Sequence, residues 1–117
     1  MRDHTKLRAF ELADQLALAV YEATRSFPKD EQFGLTSQMR RAAVSYASNI
    51  VEGCARNSES DYLRFLDMAY GSVREVEYQA SLARKLGYLA AGAYASLRDR
   101  SVETSKVLGA LIRSLRS

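Results

Sequence analysis

Apolar residues recur at helical spacing along almost the whole chain, and a single proline, Pro28, interrupts the pattern. Folds built from many short strands draw heavily on Gly and Pro for their turns. Six glycines and one proline in 117 residues leave too few turns for a sandwich or barrel. The chain therefore reads as a few long helices in one domain, large enough to hold a core without covalent staples.

Four helical segments follow from the period. The first covers about residues 6–26 and ends at Phe27-Pro28, because proline disfavours helix in the residue before it. Its predicted inner stripe is Leu7, Phe10, Ala13, Ala17, Val20, Tyr21 and Thr24. A loop over residues 28–34 leads to a second helix at about 36–56, with Thr36 or Ser37 as the predicted cap. Met39, Ala43, Tyr46, Ala47, Ile50, Gly53 and Cys54 share its inner face. Ser58 caps a third helix at about 59–86, and Gly87 ends it. The main stripe of that helix is Tyr62, Phe65, Leu66, Ala69, Val73, Val76, Ala80 and Ala83. The fourth covers about 91–115, with Tyr94, Leu97, Ser101, Leu108, Leu111, Ile112 and Leu115 inward. Short joins between long helices predict an all-α, antiparallel up-down-up-down four-helix bundle over residues 1–117.

Several functions are disfavoured at this level. No apolar run is long enough for a membrane span, and the charged N-terminus does not read as a signal peptide. With one cysteine, Cys54, a reducing cytoplasmic setting is expected. A single histidine, His4, expected to be exposed, cannot complete a di-iron or zinc site. Cys54 falls on an inner face with no histidine to activate it, and the glycines stand singly rather than in a phosphate-binding loop. Gly53 and Gly71 lie inside helices, where close helix approach would offset their cost. No catalytic residue, cofactor or metal is expected, and the chain reads as a non-enzyme.

Two features suggest partners. Residues 79–117 carry seven basic and two acidic side chains, whereas residues 1–78 carry ten and twelve. The basic set is Arg84, Lys85, Arg98, Arg100, Lys106, Arg113 and Arg116, with Arg40 as a further phosphate candidate. A solvated helix face is the plainer explanation. The second feature is apolar surplus. Val44 and Val51 on helix two, and Met68, Tyr78, Leu82 and Leu86 on helix three, lie away from the inner stripes. They are the expected contacts of a homo-oligomer.

Helix two also carries a polar stripe, Arg41, Ser45, Asn49 and Glu52, at spacings of four, four and three. Its guanidinium, hydroxyl, amide and carboxylate suit an anion, a partner's backbone or an intersubunit seam. Glu52 is expected to pair with Arg41, Arg56 or an arginine of another helix.

The block Phe33-Gly34-Leu35-Thr36-Ser37-Gln38-Met39-Arg40-Arg41-Ala42-Ala43-Val44-Ser45, continued by Ser48-Asn49-Ile50-Val51-Glu52-Gly53, resembles the signature of the bacterial four helix bundle family, also called 23S rRNA-intervening-sequence proteins. Phe27-Pro28, Tyr62, Phe65-Leu66, Ala69, Gly71-Ser72, Glu75, Glu77 and Leu86-Gly87-Tyr88 extend the likeness. Tyr46 and Ala47 depart from it, at positions where the family favours an aliphatic residue and a proline. The resemblance implies a four-helix bundle assembled as a ring-like homopentamer, with a molecular role mostly unassigned. A related group resembles the accessory protein of diversity-generating retroelements, which binds a reverse transcriptase and nucleic acid. RNA or DNA, and a reverse transcriptase in a retroelement setting, are the partners this implies. A protein-interaction scaffold that binds no nucleic acid is the competing reading.

Overall fold

The computed structural model describes residues 2–117 and contains four helices and no strand among them. They are α1 (Arg8–Thr24), α2 (Leu35–Cys54), α3 (Glu59–Lys85) and α4 (Ala91–Arg116). Single 3-10 turns at His4–Lys6 and Lys29–Glu31 precede α1 and α2. Each helix packs on two neighbours, so that α1 and α3 are diagonal, as are α2 and α4. This is the up-down-up-down bundle, 43 Å long and 23 by 19 Å across. The length matches the about 40 Å that the helical rise gives α3, the longest element.

Helix ends follow local chemistry. Ser58 Oγ accepts the Asp61 amide at 3.1 Å and caps α3. At the other end of α3, Gly87 takes φ +82. Tyr88 N then donates to Ala83 O at 2.9 Å and Gly87 N to Arg84 O at 3.0 Å, a Schellman termination. Neither Thr36 nor Ser37 caps α2; Thr36 is buried within its first turn. The N-cap is Gly34, and Glu31 Oε1 reaches forward to accept the Leu35 amide at 3.0 Å. A Cβ on Gly34 would meet that same oxygen at 2.5 Å, so glycine leaves room for the borrowed cap.

Glu31 also accepts from the Tyr88 hydroxyl at 2.8 Å, and the Phe27 and Tyr88 rings lie 5.4 Å apart. The α1–α2 and α3–α4 loops are thus tied together at one end of the bundle. These two hydrogen bonds, the backbone one first, hold the Glu31 carboxyl below the ordinary glutamate range. The Tyr88 phenol is raised in turn, chiefly by its bond to Glu31.

The predicted inner stripes of α2 and α3 are buried, with Ala47 half-buried. Tyr46 lies fully inside, its hydroxyl 3.4 Å from Ala9 O, and burial pushes its phenol well above the usual range. The α1 stripe is rotated from the predicted one. Ala9, Leu12 and Leu16 are buried, whereas Leu7, Phe10 and Ala17 are half-buried and Tyr21 is exposed. Gly53 fulfils its predicted role, because a Cβ there would sit 3.0 Å from Phe65 Cβ. Gly71 does not: it faces outward with nothing within 4 Å. His4 is half-buried, edge-on to Phe10 at 4.7 Å, rather than exposed.

Candidate functional site

The polar stripe of α2 runs along the flank that faces α3. Contact at Gly53 draws the two helices close at one end, and small side chains line the seam above it. Asn49 Nδ2 donates to Ser45 Oγ at 3.2 Å. Ser72 Oγ lies 3.2 Å from both Ser45 Oγ and Met68 O, so its one proton serves one of them at a time. Toward the loop end the seam widens into a cleft of about 360 Å³. Phe33, Ser37, Gln38, Arg41, Ala42 and Ser45 line one wall, and Ser72, Glu75 and Gln79 the other.

Three features of this cleft are unmet. Gln79 is only 6% exposed, and its Oε1 has no hydrogen-bond partner. Arg41 and Glu75, both exposed on opposite walls, form no ion pair among the described residues. The Phe33 ring stands at the mouth, 90% exposed. Glu52 is exposed and pairs with no arginine among the described residues; Arg56 lies instead over the Phe65 ring at 4.6 Å. The structure thus gathers Arg41, Ser45 and Asn49 but leaves Glu52 outside.

The basic residues divide by position. Arg84 donates to Leu89 O at 3.0 Å and helps close the α3–α4 loop. Arg98 pairs with Asp99 at 2.9 Å, and Arg116 grips Asp67 through both carboxylate oxygens. Arg40 is tied to α1, donating to Thr24 Oγ1 at 2.8 Å with its guanidinium over Tyr21. It therefore stands apart from the Arg41 stripe. Arg100 lines the α1 side of α4, and Lys85 is exposed at the C-terminal end of α3.

Lys106 and Arg113 converge with a residue that the charge census overlooks, Arg74. The three line a cavity of about 270 Å³ between α3 and α4, with Tyr70, Glu77, Val102, Ser105 and Gly109. Glu77 is the one acid there. It pairs with Arg74 at 3.1 Å and accepts from Ser105 Oγ at 3.1 Å. Arg113 lies across Gly109, where a Cβ would stand 3.3 Å from its Nη1. A glycine four residues before an arginine on one helix was the available sequence signal. Gln79 and Phe33 gave none, the first lying within an apolar stripe and the second in a loop.

Of the expected oligomer contacts, Val44, Met68, Tyr78 and Leu86 are exposed, Tyr78 by 65%. Val51 and Leu82 are half-buried, and Leu82 packs on its own core. Cys54 is buried, and burial pushes its thiol up, away from the reactive thiolate. No group of three His, Cys, Asp or Glu residues among those described could hold a metal ion. Among the described residues, no helix is long and apolar enough to cross a membrane.

The sequence model of the 23S rRNA-intervening sequence protein family matches residues 5–110. Among solved structures, the chain is similar to a protein of unknown function from the S23 ribosomal protein family of Bacteroides thetaiotaomicron. The TM-score is 0.82 at 23% identity, covering 90% of this chain and 95% of that one. At that identity the likeness establishes the fold. Comparison with curated protein sequences gave no match.

Proposed function

This chain belongs to the 23S rRNA-intervening sequence protein family, and we propose that it is a non-enzymatic homo-oligomeric bundle, a pentamer, that binds RNA or DNA through a basic surface. The observation that carries this reading is the α3–α4 groove. Arg74, Lys106 and Arg113 present three cations there against one carboxylate. Packing fixes where they stand: Glu77 orients Arg74, and the missing side chain of Gly109 lets Arg113 lie flat across its helix. Guanidinium groups so placed suit the paired oxygens of a phosphate.

Each subunit carries +3, so a ring of five would carry +15 and present five such grooves. Binding would release counterions, depend steeply on salt and discriminate weakly between sequences. Fluorescence anisotropy of labelled RNA and DNA oligonucleotides, titrated with protein at several salt concentrations, tests this. Saturable binding that weakens log-linearly with salt is expected. Absence of binding at low salt overturns it.

A second reading, a protein-interaction scaffold, draws on the exposed apolar residues Val44, Met68, Tyr78 and Leu86. It expects recovery of one defined protein partner that survives nuclease treatment.

A further inference from the structure

We propose that the α3–α4 groove takes single-stranded nucleic acid, with phosphates on Arg74, Lys106 and Arg113 and an unpaired base stacked on the Tyr78 ring. The inference rests on the basic-surface reading above and narrows it from any polyanion to a strand whose bases are free.

Charge alone would favour a duplex, which carries more phosphates per unit length than a single strand. Shape points the other way. The cations stand on no protruding element; they line a recess of about 270 Å³ between two packed helices. Helix axes in such contacts lie about 8–10 Å apart. Duplexes are read by elements that enter their grooves. A recess this narrow admits one strand and meets a duplex only at its rims.

Tyr78 is the second observation. Its ring is 65% exposed, although a tyrosine gains most from burying its apolar body. It follows Tyr70 and Arg74 at four-residue intervals on α3. That spacing sets the three side chains along one ridge, each about 6 Å further along the axis. Tyr70 and Arg74 line the recess, and the exposed Tyr78 continues the row. Across the recess stand Lys106 and Arg113 on α4. Neither has an acidic partner among the described residues. The nearby acids are already met: Glu77 by Arg74, Asp67 by Arg116, Glu103 by Arg8 and Asp99 by Arg98. A cationic track with an aromatic ring beside it suits a single strand, whose phosphates follow the cations while any base offers a π-face to the ring. In a duplex those faces are stacked on one another, and Tyr78 gains nothing.

The test is fluorescence anisotropy of the full chain with a labelled single strand of about 16 nucleotides, within the usual site sizes, and with the same strand annealed to its complement. At equal salt the single strand should bind about tenfold more tightly or better. Tyr78→Ala should weaken the single strand about five- to a hundredfold and leave the duplex unchanged. The slope of log affinity against log salt should stay the same, because a ring is lost and no cation. Tyr78→Phe, which keeps the ring, should bind as the parent does. Light scattering should give Tyr78→Ala the parent's mass; a smaller mass assigns the ring to a subunit contact and overturns the proposal. So does a duplex that binds as tightly as the single strand, or a Tyr78→Ala variant that keeps full affinity. In those last two cases salt-dependent binding persists and the basic-surface reading stands. If neither oligonucleotide binds at low salt, the basic-surface reading itself fails and this inference falls with it.

Discussion

Helix α3 lends one flank to each of two grooves, and the two differ in what they leave unmet. On the α2 side, Ser72, Glu75 and Gln79 face Arg41 and Ser45, the formal charges cancel, and the unmet group is a buried amide oxygen. On the α4 side, Tyr70, Arg74 and Glu77 face Lys106 and Arg113, cations outnumber acids three to one, and every polar group is paired or open to water. A buried unpaired dipole costs stability where it stands. Exposed unbalanced charge calls for any polyanion of sufficient density. The glycines repeat the contrast: Gly53 brings α2 against α3, whereas Gly109 makes room for a charged side chain.

The sharpest way to separate the grooves is to remove the charge of one. Replacing Arg74, Lys106 and Arg113 together by alanine should weaken oligonucleotide binding about a hundredfold near physiological salt. The log-affinity slope against log salt should fall by about three, one for each lost phosphate contact. Next in size is Gly53→Val. Its Cβ would press on Phe65 and Tyr62, so overpacking should destabilise the fold by about 1–3 kcal/mol in a urea titration.

Gly109→Ala tests the same residue type on the other flank, with the opposite sign. Only the far end of Arg113 must move, and the helix gains up to about 1 kcal/mol from alanine. The midpoint in urea should rise while oligonucleotide affinity falls, because Arg113 is displaced. The smallest effect concerns pH. The Glu31 carboxyl is depressed by its bonds to Leu35 N and Tyr88. Its contribution is therefore present above the ordinary glutamate range and lost as pH falls through the folded value. Glu31→Gln should lower the melting temperature slightly at neutral pH and flatten its decline in acid.

The sequence was most legible where its pattern was narrow. On α3 the apolar stripe is flanked by charged residues, so only one rotation of the helix buries it, and all eight predicted inner residues are buried. On α1, alanines and leucines occupy most of the circumference between Ala9 and Val20, so several rotations bury similar area. The predicted face then missed Leu12 and Leu16. Buried hydroxyls follow a further rule: Thr24 and Ser101, both predicted inward, and Thr104, which was not, return their protons to the carbonyl four residues back. Of the α2–α3 cleft, Arg41 and Ser45 were evident from spacing, but Gln79 was not. A glutamine on an apolar stripe betrays itself only when its partners can be counted. In the basic groove, the excess of charge in the last third pointed to Lys106 and Arg113. Arg74 was hidden by the acidic surroundings of its own segment.

The knot of Glu31, Tyr88 and Phe27 joins the tips of two helical hairpins that meet otherwise along their sides. The other end is closed by different means: the α2–α3 turn joins the hairpins covalently, Arg2 N donates to Cys54 O at 2.8 Å, and Arg116 holds Asp67. One end of the bundle is therefore fastened by the chain itself and the other only by side chains, so loss of the Glu31–Tyr88 bond should quicken amide exchange near Tyr88 more than near Ser58.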